Sequence, residues 1–271
     1  MQLLQQSLRS FNKINFNGTH HLHVYHFKKA FMKKIIFIIL FIFIAISCNS
    51  YKVNLAFNLM GIYADSAKLD KLKNNQKEIV FIAIHHIGTK PFYSDIKKKI
   101  DSLENLGFHF YTEKIKGDAK DTTALLKLRK FSGIPFSKKN SGYLKMIDSM
   151  YNGKVKYKKE LIDQPSYTSL GVDSLKSKNV DVTINEMINY YESKYGEIKL
   201  EKCDYETQEN KKSSCKGKSL DKKKGDDAII NFRNKHVIEE LLKDKNDKIV
   251  IVYGARHIIG IKEELLKLGY K

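Results

Sequence analysis

Runs of apolar residues divide the chain into predicted strands and helices. Residues 79–84 (Ile-Val-Phe-Ile-Ala-Ile) and 249–253 (Ile-Val-Ile-Val-Tyr) are continuously apolar and rich in β-branched side chains. Strands that are buried on both faces, as in a parallel sheet, typically show this pattern. The two runs therefore predict two central strands of one sheet.

A helical pattern follows the first of these strands. Its apolar residues are spaced by four, four, three and three positions, and they are Phe92, Ile96, Ile100, Leu103 and Leu106. Gly107 predicts the end of this helix. Residues 108–111 then predict a strand, with Glu113 just beyond it. A strand–helix–strand unit of this length indicates parallel strands.

The remaining pattern completes the predicted fold. Further helices are expected at 125–131, 143–150, 181–195 and 229–243, and after His257 through Leu268. The fold class is α/β, with a mixed, largely parallel sheet flanked by helices. The predicted domain contains two similar units, each made of a strand, a GxxH motif and a helix. A helical insertion in the middle of the chain separates these two units. We expect this domain to span residues 76–271.

The first 48 residues predict an export signal rather than part of this domain. Residues 32–34 (Met-Lys-Lys) precede twelve apolar residues, 35–46, a run shorter than the roughly 20 residues of a membrane-spanning helix. Residues 45–48 (Ala-Ile-Ser-Cys) resemble the lipobox of bacterial lipoproteins, in which the cysteine is acylated. A single membrane anchor or a buried apolar helix is the alternative interpretation of the run.

The lipobox interpretation sets the remaining boundaries. We expect an upstream extension over 1–31, a signal peptide over 32–47 and a lipidated tether over 48–75 that contains at most one short helix. Cys48 would attach the protein to a membrane of the bacterial cell envelope, and the outer membrane is favoured over the inner one.

Cleavage before Cys48 would lower the net positive charge of the protein. The chain carries 49 Lys and Arg against 30 Asp and Glu, a net charge of +19. Loss of residues 1–47 removes six basic and no acidic residues and leaves +13. A basic total suggests nucleic acid, but export separates the protein from it and no nucleic-acid-binding module is recognised. Proximity to an anionic membrane accounts for the charge, and we expect no nucleic-acid partner.

The three cysteines divide between two uses. With Cys48 acylated, Cys203 and Cys215 remain, an even number in an oxidising compartment, which predicts a disulfide. A zinc site built on these two cysteines lacks a nearby His or a second Cys pair at a common spacing.

Two histidines follow the two apolar strands at matching places. Residues 83–86 (Ala-Ile-His-His) and 254–257 (Gly-Ala-Arg-His) each place a small residue three positions before a histidine. Open α/β sheets form ligand sites at the carboxyl ends of strands, so His86, His257 and Glu113 are expected there. Two imidazoles and a carboxylate can hold a divalent Mn, Co or Zn ion, whose bound water would hydrolyse an amide or ester.

These residues also carry a resemblance to a known family. Residues 82–88 together with 111–113 resemble the N-terminal half of the TraB/PrgY/GumN/Tiki family, and residues 251–261 with 268–270 resemble its C-terminal half. Family members carry two GxxH motifs, an intervening Glu, and an Arg before the second motif, which corresponds here to Arg233. The first motif of this chain has Ala83 in place of the glycine.

The resemblance implies an α/β fold shared with erythromycin esterases and haem-binding ChaN-like lipoproteins. Tiki members are reported as metal-dependent membrane-tethered proteases, and TraB/PrgY members block a peptide pheromone. For this chain it implies a lipid-anchored, metal-dependent hydrolase of a peptide or another amide or ester. His86, Glu113 and His257 would bind the metal or assist it, and Arg233 would stabilise an oxyanion or orient Glu113. The alternative is a non-catalytic lipoprotein that binds a peptide or a haem-like ligand in the same cleft.

Overall fold

A computed structural model describes residues 49–117, 120–135, 142–209, 211, 213, 215 and 221–271. The predicted upstream extension, the predicted signal peptide and the predicted acylation site Cys48 lie outside the described residues. Within the described part of the chain, no helix combines the length and the apolar character needed to cross a membrane.

The described elements follow one another in a mixed order of strands and helices. The strands are β1 (Leu69–Lys73), β2 (Glu78–Ile84), β3 (Ile87–Gly88), β4 (His109–Thr112), β5 (Ile162–Asp163), β6 (Ser177–Asn179) and β7 (Lys248–Gly254). The α-helices are α1 (Asn49–Leu59), α2 (Lys90–Asn105), α3 (Thr122–Ser132), α4 (Gly142–Met150), α5 (Ile184–Tyr195), α6 (Lys202–Glu206), α7 (Lys222–Asp226), α8 (Phe232–Lys243) and α9 (Ala255–Lys267). A 3₁₀-helix (Ser174–Lys176) precedes β6, and a π-helical turn (Asp227–Asn231) joins α7 to α8.

Five of the strands form one sheet in the order β1-β2-β7-β4-β6. The neighbouring strands β2, β7, β4 and β6 are all parallel to one another. Strand β1 pairs antiparallel with β2 at the edge of the sheet. A separate two-stranded pairing joins β3 to β5. The predicted α/β class, with a largely parallel mixed sheet flanked by helices, is confirmed.

Helices cover both faces of this sheet. The side chains of Ile82 and Val250 pack into one core with the apolar face of α2. Ile249 and Ile251 point to the other face and pack against α8 and α9. Because both faces are covered, the central strands are apolar at nearly every position, as their sequence pattern predicts.

The segment predicted as a tether contributes to the fold. Val53 and Phe57 of α1 are buried in a small core of their own, and β1 forms the edge of the sheet. The folded domain therefore reaches back beyond the predicted boundary at residue 76. The pattern is weak here because Leu72 is the buried residue of β1 while its other positions are exposed.

The two strand–GxxH–helix units differ in three dimensions. In the sheet, Ile84 lies opposite Gly254, and Ala83 lies opposite Tyr253. The small residues of the two motifs therefore do not occupy equivalent positions. The first motif ends in a loop after β2, whereas the second ends inside the first turn of α9. The sequence repeat corresponds to two different local structures.

Candidate functional site

The carboxyl ends of β2, β7 and β4 lie side by side at one edge of the sheet. Gly254 is the last residue of β7, Glu113 follows the end of β4, and His86 follows the end of β2. Strand β7 lies between β2 and β4, so His86 and Glu113 follow the strands on either side of β7. The predicted site residues thus lie where open α/β sheets bind their ligands.

Arg233 of α8 is the centre of a hydrogen-bonded cluster at this edge. Its Nε donates to Asp181 Oδ1 over 2.8 Å, and Nη2 donates to Asp181 Oδ2 over 2.7 Å and to Glu113 Oε1 over 2.5 Å. Its Nη1 lies 3.3 Å from the carbonyl oxygen of Ile229 and 3.0 Å from Nε2 of His257. A guanidinium has five N–H donors, and all five are used here. This arrangement favours orientation of Glu113 over stabilisation of an oxyanion.

The charge of Arg233 is maintained by its neighbours. Burial lowers the pKa of its guanidinium, but hydrogen bonds to Asp181 and the charges of Asp181 and Glu113 outweigh burial and raise that pKa above its ordinary value. The Asp181 side chain is fully buried and that of Arg233 is 4% exposed. A buried ion pair of this kind depends on both partners being present, since either charge alone would be strongly destabilising.

His257 is buried and held in one tautomer. Arginine only donates hydrogen bonds, so Nε2 of His257 accepts from Arg233, and Nδ1 carries the hydrogen and donates to Asn234 Oδ1 over 2.7 Å. Burial, followed by the positive charges of Arg233 and Arg256, lowers the pKa of His257 to about 2. The imidazole is therefore neutral at physiological pH, with both nitrogens engaged.

Glu113 is fixed by its side chain and its backbone. Its Oε2 accepts a hydrogen bond of 2.5 Å from the backbone N–H of Gly254. A Cβ at position 254 would lie 2.9 Å from Oε2, so this glycine provides space for the carboxylate. Its φ of −53° shows that no left-handed conformation is required. The Tyr167 hydroxyl accepts from the Glu113 N–H and donates to the Glu113 carbonyl oxygen, each over 3.1 Å.

His86 differs from His257 because its side chain is exposed. Its Nδ1 lies 3.3 Å from Gln164 Oε1, and its carbonyl oxygen accepts the Gln164 N–H over 2.9 Å. The imidazole stacks on Tyr143 with ring centroids 4.2 Å apart. Tyr143 is 43% exposed. Partial burial and the charge of Glu113 raise the pKa of its hydroxyl, and the charge of Arg233 opposes them.

The residues predicted as metal ligands do not fit a divalent ion in this arrangement. The Nε2 lone pair of His257, which a metal would need, accepts a hydrogen bond from Arg233. The same cationic guanidinium contacts Glu113, where it would repel a second cation. His257 Nε2 lies 3.6 Å from Glu113 Oε1. Among the described residues, however, His86, Glu113 and His257 do not form a group of three whose ligand atoms all lie within 4.8 Å of one another.

One such group occurs elsewhere, around the predicted disulfide. Glu201, Cys203, Asp204 and Cys215 place potential ligand atoms within 4.8 Å. The two cysteines form a disulfide with Cα atoms 5.3 Å apart, which confirms the predicted pairing. Disulfide sulfurs are not thiolate ligands, and Asp204 pairs with Lys130 over 2.6 Å. With the disulfide formed, the ion pair between Asp204 and Lys130 links α6 to α3.

Several residues of the site lie outside the predicted set. Asp181 is hydrogen-bonded to Arg233, and Asn234 is hydrogen-bonded to His257. Tyr143 and Gln164 contact His86. Tyr167 is hydrogen-bonded to Glu113. Asp181 is the first residue of the helix predicted over 181–195, and Asn234 directly follows Arg233, so proximity to predicted features was the available signal. His85 is a neighbour of the site, and its burial lowers its pKa.

No family model, curated protein or solved structure matches the chain. Membership of the TraB/PrgY/GumN/Tiki family therefore stays a prediction that depends on the motifs around His86 and His257.

Proposed function

We propose that this protein hydrolyses amide or ester bonds, with peptides as the first class of substrate to test. The observation that carries the proposal is an exposed histidine, His86, beside a buried and fully hydrogen-bonded cluster of Glu113, Arg233 and His257. The buried cluster supplies a rigid, charged wall, and the exposed imidazole supplies a group that can take up and return a proton.

In the proposed reaction, His86 acts as a general base. With Nδ1 directed at Gln164, Nε2 removes a proton from a water molecule. The water oxygen forms a bond to the substrate carbonyl carbon, the bond from this carbon to the leaving nitrogen or oxygen breaks, and the imidazolium returns its proton to the leaving group. The hydroxyl of Tyr143, whose ring stacks on His86, can donate a hydrogen bond to the developing oxyanion.

Arg233 and Glu113 act as positioning residues in this scheme. Arg233 connects Glu113 to His257 and Asp181, so it fixes the loop after β4 relative to α8 and α9. A Mn, Co or Zn ion bound by His86, Glu113 and His257 would require Arg233 to release His257 first. For this reason the proposal assigns proton transfer to His86 rather than to a metal-bound water.

The test is a comparison of hydrolysis rates on fluorogenic peptides and p-nitrophenyl esters, using the full chain purified in detergent. His86→Ala should lower the rate by about 10²- to 10⁴-fold, the usual contribution of a general base. His236→Ala, on α8 and outside the cluster, should leave it unchanged. If the wild-type protein hydrolyses none of these substrates yet binds peptides or haem, the binding-protein alternative stands instead.

We further propose that the protein acts at the bacterial cell envelope, attached through an acylated Cys48. The lipobox-like residues 45–48 support this location. Labelling of cells with a fatty-acid analogue should mark the wild-type protein and should not mark Cys48→Ser. Equal labelling of both proteins would contradict acylation at this residue.

A further inference from the structure

Helix α1 has buried apolar side chains on its inward face and exposed leucines, together with Lys52 and Asn58, on its outward face. Val53 and Phe57 are buried against the protein. On the opposite face, Leu55 is 47% exposed and Leu59 is 78% exposed, and Met60, directly after the helix, is 55% exposed. A helix with one buried face usually has a polar outer face, so this outer face is suited to a second apolar environment.

A basic segment packs beside α1. Residues 154–158 alternate lysine with Val155 and Tyr157. Val155 is buried in the same small core as Phe57, and Tyr157 stacks parallel to the Phe57 ring with centroids 6.0 Å apart. The side chain of Asn54 donates to the carbonyl oxygen of residue 156 over 2.7 Å and accepts the N–H of residue 158 over 2.9 Å.

The alternation directs the basic side chains outward. Lys154, Lys156 and Lys158 are exposed, while the residues between them face α1. Exposed leucines and exposed lysines therefore lie on adjoining parts of the molecule. We call the set of Leu55, Leu59, Met60, Lys154, Lys156 and Lys158 the α1 surface.

We propose that the α1 surface lies on an anionic lipid membrane. Helices that lie in a membrane interface bury apolar side chains among the acyl chains while neighbouring lysines contact anionic headgroups. The helix begins one residue after Cys48, so an acyl chain there would hold it at the bilayer. Leu55 and Leu59 then follow roughly 10 and 16 Å along the helix, at 1.5 Å per residue. This inference rests on the proposed envelope location and is independent of hydrolysis.

The experiment uses the full chain reconstituted into lipid vesicles. Leu59→Cys is labelled with the environment-sensitive dye NBD, and Leu175→Cys, at a 91% exposed position of the 3₁₀-helix, is the matched control. Cys203 and Cys215 are joined in the disulfide, and the proposed acylation would occupy the thiol of Cys48. Emission and quenching by spin-labelled lipid are compared between phosphatidylcholine vesicles with and without phosphatidylglycerol.

We expect the label at position 59 to shift to shorter wavelength and to be quenched by the lipid, more strongly with phosphatidylglycerol, while the label at position 175 stays solvent-exposed. Replacing Lys154, Lys156 and Lys158 by Gln should weaken contact with the anionic vesicles by about fivefold per lysine. Equal emission from both positions would overturn the proposal. So would shielding at position 59 that persists in detergent and disappears on dilution, because that result indicates a second copy of the chain.

Failure of the membrane proposal can be distinguished from failure of the proposed hydrolysis and of the proposed acylation. The hydrolysis rate of the labelled protein reports on the site at His86, and fatty-acid labelling reports on Cys48. A membrane-exposed label at position 59 in a protein without hydrolytic activity would leave the α1 surface assigned and would contradict only the proposed reaction.

Discussion

At the scale of single residues, Gly254 controls the position of Glu113. A methyl group there would lie 2.9 Å from the carboxylate oxygen that accepts the Gly254 N–H. We expect Gly254→Ala to displace the carboxylate, to lower hydrolysis and to destabilise the protein by about 1–3 kcal/mol, as overpacking usually does. Hydrolysis rates and thermal unfolding measure the two effects.

The matched variant for this prediction is Ala83→Gly, which gives the first motif the glycine of the second. Ala83 lies in the regular strand β2 opposite Tyr253, not opposite Gly254. The Ala83→Gly substitution should therefore not increase the hydrolysis rate. An increase in rate for Ala83→Gly, or full activity for Gly254→Ala, would contradict the account of this strand edge.

Arg233 is the residue on which the buried cluster depends for stability. Lysine cannot reproduce five N–H donors in one plane, so Arg233→Lys should leave Asp181 and Glu113 incompletely paired. We expect a loss of about 1–3 kcal/mol in the free energy of unfolding, measured by urea denaturation, because lysine keeps the charge but leaves buried acceptors unpaired. The control is Arg256→Lys, because Arg256 pairs with Asp226 at an exposed position and should change stability by less than about 1 kcal/mol. Equal effects of the two substitutions would show that the cluster is not the source of stability.

His257 predicts a specific dependence of stability on pH. Its pKa is about 2 in the folded protein, against an ordinary value of 6.5, so the unfolded chain binds the additional proton between these values. The contribution of this residue is unchanged above pH 6.5, and stability falls as the pH decreases below it, by at most about 1.4 kcal/mol per pH unit. His257→Gln should flatten this decline in denaturation curves between pH 4 and 7. An unchanged slope would indicate that His257 is protonated in the folded state.

At the scale of elements, the sequence predicted those with strong apolar patterns. The runs at 79–84 and 249–253 and the helical spacing from Phe92 to Leu106 correspond to β2, β7 and α2. It did not predict β1, because an edge strand with one buried side chain has no recognisable alternation. The π-helical turn before α8 also has no sequence signal, since its apolar residues fit an ordinary helix.

The disulfide stabilises the link between α6 and α3. Cys203 and Cys215 are 12 positions apart in the sequence. Arg129 and Lys130 of α3 contact the same region through the Asp204 carbonyl and carboxylate. Replacing both cysteines by Ser should lower the free energy of unfolding by roughly 2–3 kcal/mol. A reductant should lower the melting temperature of the wild-type protein and leave the double variant unchanged. An equal response of both proteins would contradict this role.

At the scale of the whole molecule, the sheet order explains why residues that follow different strands come near one another. His86 and Glu113 follow β2 and β4, whose carboxyl ends lie at the same sheet edge as that of β7, whereas Arg233 and His257 belong to α8 and α9. The pairing of Arg233 with Asp181 joins residues 52 positions apart, and no local pattern encodes such a contact. That pairing decides the orientation of the guanidinium, and it is why His257 is engaged rather than open to a metal.

In the proposed reaction, His86 transfers the proton while Arg233 occupies the position at which a metal would bind His257. The most direct measurement is the hydrolysis rate of the full chain after removal of metal ions by a chelator, alongside His86→Ala treated identically. We predict that the wild-type rate survives metal removal and that His86→Ala loses about 10²-fold or more. A wild-type rate that disappears with the chelator and returns with Mn, Co or Zn would contradict this account and favour a metal bound by His86, Glu113 and His257.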